Sequence, residues 1–160
     1  MVALHSKKFP NILYKPGEEI DYLPDDIGTS FIFDVDSDLT NDKGAMNRVA
    51  LFLDDLDELK EKALFCIHSI IDDKLDPYHG IVFGFLDLHI YFICGEESIS
   101  LHEAAGHLKL VRFSSWVSGE LNEQIFAMFF GYGLGADLGG DVMIIYFDIY
   151  KNIFSILHED

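Results

Sequence analysis

Asp141-Val142-Met143-Ile144-Ile145-Tyr146-Phe147-Asp148-Ile149-Tyr150-Lys151-Asn152-Ile153-Phe154-Ser155-Ile156-Leu157-His158-Glu159-Asp160 closes the chain, and its reading decides the fold. Val142 to Phe147 is wholly apolar, Asp148 to Asn152 offers turn chemistry, and Ile153 to Leu157 is apolar again apart from Ser155. The pattern predicts a strand, a tight loop and a second strand. An apolar run without polar alternation belongs to a strand covered on both faces, which places this hairpin in mid-sheet with the closing strand beside it.

Working backwards, Ile125 to Phe130 and Leu108 to Phe113 are two further strands, the second alternating Leu108, Leu110, Arg112 against Lys109, Val111, Phe113. Between Ile125–Phe130 and the hairpin lies a glycine-rich segment, Gly131 to Gly140, read as a bulge or sharp bend between paired strands. Ser100-Leu101-His102-Glu103 spells a capping box and starts a short helix through Ala105. Gly80 to Cys94 is apolar all round and fits a buried helix or a strand, its length favouring the helix. Met46, Val49, Ala50, Leu53 and Leu56 follow helical spacing behind an Asn41 or Asp42 cap. Ala63, Ile67, Ile70 and Ile71 continue it, as one long helix or a bent pair, to a stop at Asp76-Pro77. Ser30 to Val35 is a strand built on Phe31-Ile32-Phe33, and residues 1–24 hold one or two short strands among prolines. A strand, helices and then consecutive strands define α+β: a mostly antiparallel sheet whose C-terminal four-strand meander packs against a central helical segment, in one domain spanning residues 1–160.

The 160 residues carry a formal charge of −17 with a pI near 4.5, while 49% are apolar and 14% aromatic, so the chain folds despite its charge. A field of that sign repels phosphate backbones and anionic lipid, which argues against direct nucleic-acid or membrane binding. The same field favours a basic protein partner through encounter rate, and it also serves plain solubility. Glu18, Glu19, Asp21, Asp25, Asp26, Asp34, Asp36, Asp38 and Asp42 fall in one stretch that contains no Lys or Arg. Cys66 and Cys94 lack metal or redox spacing and sit in apolar runs as buried thiols. No signal peptide opens the chain and the longest apolar stretch is too short to span a bilayer, so a cytoplasmic protein is expected.

Four spellings tempt a catalytic reading. Phe31-Ile32-Phe33-Asp34-Val35-Asp36 resembles the first motif of the haloacid-dehalogenase phosphatases, in which the first Asp attacks phosphorus and the second is the acid/base. That resemblance implies a magnesium-dependent phosphohydrolase using Asp34 and Asp36. Ser37 and Asp38 stand where the motif has Gly and Thr, and the run of strands after Leu108 departs from its alternating order. Asp34, Asp36 and Asp38 also open like a calcium loop, but Leu39 replaces its glycine and Ala45 its bidentate Glu. His102-Glu103-Ala104-Ala105-Gly106-His107 has one residue too many for a zinc helix, since histidines five apart leave the common face. Gly131-Tyr132-Gly133-Leu134-Gly135-Ala136 leads into a strand where a dinucleotide loop opens a helix. No catalytic, cofactor or metal set is therefore assigned, and the nine acids are the candidate partner-binding surface. Self-association through exposed aromatics such as Trp116 is a further reading.

Leu108-Lys109-Leu110-Val111-Arg112-Phe113, Phe130 to Leu138, and Asp141 through Phe147-Asp148 to His158-Glu159-Asp160 together resemble a small bacterial family catalogued as a domain of unknown function, number two thousand and four. The chain departs from that pattern at Gly131-Tyr132, where Asp-Tyr is usual, and at Lys151-Asn152, where the last turn usually has Gly. The resemblance implies an α+β fold and no established activity. By analogy with other small acidic bacterial proteins, it suggests an immunity-type role against a toxin.

Overall fold

The computed structural model describes residues 1–24, 28–33, 38–94, 99–118, 123–132 and 140–160, without the side chains of 91–94. Two short strands, β1 (Val2–Ala3) and β2 (Leu13–Tyr14), pair antiparallel near the N-terminus. β3 (Ile20–Tyr22) and β4 (Ser30–Phe33) then lead to the helices α1 (Lys43–Asp54), α2 (Leu56–Ile71), α3 (His79–Cys94) and α4 (Leu101–Gly106). β5 (Lys109–Ser118), β6 (Glu123–Gly131), β7 (Val142–Phe147) and β8 (Ile153–Glu159) follow as a meander. Six of these strands form one sheet in the order β3-β4-β5-β6-β7-β8. Only β4 and β5 run parallel. A parallel pair needs a long crossover, which here is the whole helical segment. The fold is α+β, with the expected C-terminal meander.

Local chemistry explains the element boundaries. Asp42 caps α1 by accepting the Ala45 amide at 3.1 Å, and the Ser100 hydroxyl accepts the Glu103 amide at 3.1 Å as the capping box requires. The helical pattern from Lys43 onward is a bent pair, broken at Asp55. Gly80 to Cys94 is helical: an all-round apolar helix is tolerated because Val82, Phe85, Leu86 and His89 are buried against the core. Cys66 is half-buried instead of fully buried, because it lies toward the flank of α2 and Ala63 and Ile67 hold the core face.

One sheet face carries the core. Phe31, Phe33, Phe113, Phe126, Met128, Phe130, Met143, Ile145 and Phe147 point to it, each fully buried. Phe52 of α1 lies flat on Phe126, with ring centroids 3.5 Å apart and planes at 4°. The buried Gln124 side chain accepts from Arg48 Nε at 2.7 Å and donates to the Ala45 carbonyl and the Ser115 hydroxyl, so α1 and the sheet meet through a satisfied polar clamp. The opposite face is mixed: Ala127 and Ile144 are buried, while Trp116 is half-buried with its ring edge-on to Tyr146.

The position of the terminal hairpin needs correction. β7 is interior, as its unbroken apolar run indicates, but β8 is the outer edge strand, so the hairpin closes the sheet instead of centring it. The reason lies in β8 itself. Ser155, His158 and Glu159 interrupt its hydrophobicity, and a register shift opposite Tyr146 and Phe147 twists it, two devices that suit an unpaired edge.

Candidate functional site

Glu18, Glu19, Asp21, Asp38 and Asp42 are all exposed. Asp25, Asp26, Asp34 and Asp36 lie outside the described residues. Four of the described five sit on two turns joined by one backbone anchor. The Gly17 amide donates to the buried Thr40 hydroxyl at 3.0 Å, so the turn carrying Glu18 and Glu19 rests on the 3-10 turn Leu39–Asn41 between Asp38 and Asp42. Gly17 has φ of +86°, a conformation that favours glycine, which lets the turn approach Asn41 closely. Asp21 continues the rim on β3, where the pleat turns it away from buried Ile20.

The five carboxylates differ in how far they are committed. Asp42 is the helix cap, Asp38 accepts from the Asn41 amide group at 3.4 Å, and Glu18 sits 3.3 Å from Lys15. Glu19 and Asp21 meet no cation among the described residues. Beside the rim, a cleft of about 430 Å³ runs between the β1–β2 pair and α1, walled by Leu4, Tyr14, Met46 and, at its mouth, Asn41 and Lys43. Burial pushes the Tyr14 phenol above its ordinary range, in keeping with its place in that wall.

A second constellation escaped the sequence reading. His102, at the start of α4, donates from Nε2 to the Asp72 carboxylate at 2.7 Å, and its Nδ1 lies 2.7 Å from Nδ1 of His68 on α2. The two rings are 4° from parallel with centroids 5.0 Å apart. The centroids can be no farther apart than that nitrogen contact plus two ring radii, and 5.0 Å is that limit. The rings therefore lie edge to edge in one plane, with the two Nδ1 atoms aligned at hydrogen-bond distance. An Asp–His–His line of this kind orients imidazoles, but nucleophilic catalysis also needs a hydroxyl or thiol bonded to the base. Among the described residues none is: the Ser69 hydroxyl is engaged by the Phe65 carbonyl at 3.0 Å, and burial, then the Asp76 carboxylate, push the Cys66 thiol up. His68 and His102 are 34 residues apart, so only tertiary packing could reveal them. His107 is exposed at the far end of α4, away from this line, as the five-residue spacing predicts.

The remaining clusters sit elsewhere. Asp141 and His158 meet at the open end of the hairpin, 3.5 Å apart, with Asp160 beside them. No helix among the described residues is long and apolar enough to cross a membrane. No family model matches the chain, and neither does any curated protein or solved structure, so the resemblance drawn from residues 108–113 and 130–160 stands on those residues alone.

Proposed function

We propose that the chain is a non-catalytic, cytoplasmic binding protein whose acidic rim, Glu18, Glu19, Asp21, Asp38 and Asp42, together with Asp25, Asp26, Asp34 and Asp36 of the same stretch of sequence, receives a basic protein, in the manner of an immunity protein neutralising a bacterial toxin. The observation that carries the reading is the exposure of all five described acids, two of them without a cation, on a stretch that has no Lys or Arg. Solubility alone requires charge spread over the surface; it gives no reason to pin two acidic turns together through the part-buried Gly17–Thr40 bond. Opposite potentials act mainly on the rate of encounter, so such a rim selects a cationic partner and is sensitive to salt.

The test replaces Glu18, Glu19 and Asp21 with Lys and measures association with any basic protein that a neighbouring gene encodes. The association rate constant should fall by at least about tenfold at low salt, with the difference narrowing as salt rises. Asp42 is left intact so that α1 keeps its cap. Binding that ignores both charge reversal and ionic strength would remove the rim from the mechanism.

A further inference from the structure

A different chemistry collects at the other edge of the sheet. Val142 faces Glu159 and Met143 faces His158 across the β7–β8 pair, and carrying that register one step further sets Asp141 opposite Asp160. The side chains of Asp141, His158 and Asp160 thus leave the hairpin on the same face as Met143, by the alternation of the pleat. Two carboxylates directly opposite each other across an antiparallel pair repel. Here they are gathered around an imidazole, with one donor atom from each of the three residues within 4.8 Å of the others.

Both contacts are within ion-pair range but longer than a closed hydrogen bond. His158 Nε2 stands 3.5 Å from Asp141 Oδ2 and 3.7 Å from Asp160 Oδ1, whereas His102 Nε2 in the same molecule closes to 2.7 Å on Asp72. A formed charge-assisted bond lies at about 2.7–2.9 Å. Donors that share a metal stay apart instead, on a sphere around it. For zinc, with ligands at about 2.1 Å, tetrahedral positions are roughly 3.4 Å from one another. The imidazole is also held in place, because Phe85 of α3 stands edge-on to it at 5.2 Å and 88°. The Asp141 and His158 side chains are only 26% and 27% exposed, while Asp160, at 94%, is the solvent-side ligand.

We propose that Asp141, His158 and Asp160 bind a single divalent first-row transition metal ion of the zinc class. One imidazole nitrogen with two carboxylate oxygens suits zinc, cobalt, nickel or manganese, and an imidazole disfavours calcium and magnesium, which take oxygen ligands. Three protein ligands leave at least one position for water, so the ion is exchangeable. The site is independent of the acidic rim, which lies at the β3 edge five strands away.

The full chain without a histidine tag is titrated with cobalt(II), following the visible absorption bands, and with zinc(II) by calorimetry. One equivalent should bind. His158→Asn should weaken binding by at least the roughly tenfold that loss of even an outer-shell partner costs, and Asp141→Asn should do the same. His102→Asn should leave the affinity unchanged. Acidification should weaken binding, since the imidazole must be neutral to ligate. If a variant fails to fold, the ring resonances of His158 in the unaltered protein decide the matter, because one equivalent of zinc must move them before those of His68 and His102. Binding that survives His158→Asn, zinc that leaves the His158 ring untouched, or cobalt that never saturates would overturn the site. Charge reversal at Glu18, Glu19 and Asp21 leaves this binding intact, so failure here is distinct from failure of the rim.

Discussion

At the β3 edge of the sheet Glu18, Glu19 and Asp21 stand out in water, while at the β8 edge Asp141 and Asp160 are drawn in around His158. Spread charges act through a long-range field that salt screens over about 8 Å at physiological strength. Converged charges act at ligation distance, where geometry decides and salt matters less. The edges also differ in how they are fixed. The β8 edge is tied into the helices by Lys151 on Asp55, by the Tyr78 hydroxyl donating to the Phe154 carbonyl at 3.1 Å, and by Phe85 against His158. The β3 edge carries a strand of three residues, and its acidic turn hangs on Gly17–Thr40. Under the two proposals, the same sign of charge serves a diffuse partner-steering surface at one end and a defined small-ion site at the other.

The severest way to break the contrast is to remove what both edges share. Phe126 is fully buried in β6, flat against Phe52 and 6.2 Å from Phe113. Phe126→Ala leaves a cavity in the middle of the sheet and should cost about 3–5 kcal/mol. Denaturant unfolding followed by fluorescence checks the size. Hydrogen exchange should show amides of β3 and β8 losing protection together; loss confined to one edge would mean that the sheet is not a single cooperative unit.

How much of this was legible follows from the range of the forces involved. The meander could be read because period-two patterning and apolar runs are local, and the capping box at Ser100 because its donors and acceptor lie within three residues. Over Gly80 to Cys94 length favours a helix but leaves a strand open, because no apolar face distinguishes the two; the helix is seen over His79–Cys94. The edge position of β8 was harder, since a run such as Ile153 to Leu157 does not state whether a neighbour lies on one side or two. Among the sites, the acid-rich stretch was visible as composition, but the anchor between Gly17 and Thr40 that assembles it was not. The imidazole line joining His68 to His102 left no trace in spacing. His158 and Asp160 enter the sequence pattern only as the end of the closing stretch, because register with Asp141 is what makes them converge.

A smaller and pH-dependent effect separates the two sides. The Tyr132 hydroxyl donates to the Ala104 carbonyl at 2.8 Å, docking α4 beside the end of β6, and burial drives its phenol far above the ordinary value. In the unfolded chain a tyrosine ionises near pH 10. Above that pH the unfolded state has released a proton that the folded state still holds. The stability contributed by Tyr132 is therefore complete below about pH 10 and is lost as pH rises toward the folded value. Tyr132→Phe should cost roughly 1 kcal/mol at neutral pH and make the alkaline decline shallower. Urea midpoints at pH 8 and at about pH 10.5, either side of the free tyrosine value, give both numbers. An unchanged alkaline slope in the variant would assign the decline to Tyr14 and Tyr146, whose phenols burial also raises.

The smallest expected effect concerns the turn that fastens the β8 edge. Lys151 has φ of +67°, where a side chain costs roughly 1–2 kcal/mol relative to glycine. Two interactions offset that cost. Its ammonium pairs with Asp55 at the α1–α2 elbow and lies 5.7 Å from the Phe52 ring centre, and both partners of the ion pair are more than a third exposed, so the pair contributes under about 1 kcal/mol. Lys151→Ala keeps the strain and loses the contacts, whereas Lys151→Gly loses both, at the further expense of about 0.4–1 kcal/mol of unfolded-chain entropy. The alanine variant should be the less stable of the two by about 0.5 kcal/mol, with the glycine variant close to the unaltered protein. The stability difference between the unaltered protein and either variant should narrow as salt rises from low to moderate concentration, because the unaltered protein alone of the three keeps the Lys151–Asp55 pair. Equal stability of the two variants would mean that the Asp148 carboxylate, which accepts the Tyr150 and Asn152 amides at 2.9 Å each, fixes the turn whatever residue follows, and that the β8 edge is held by its own loop instead of by the helices.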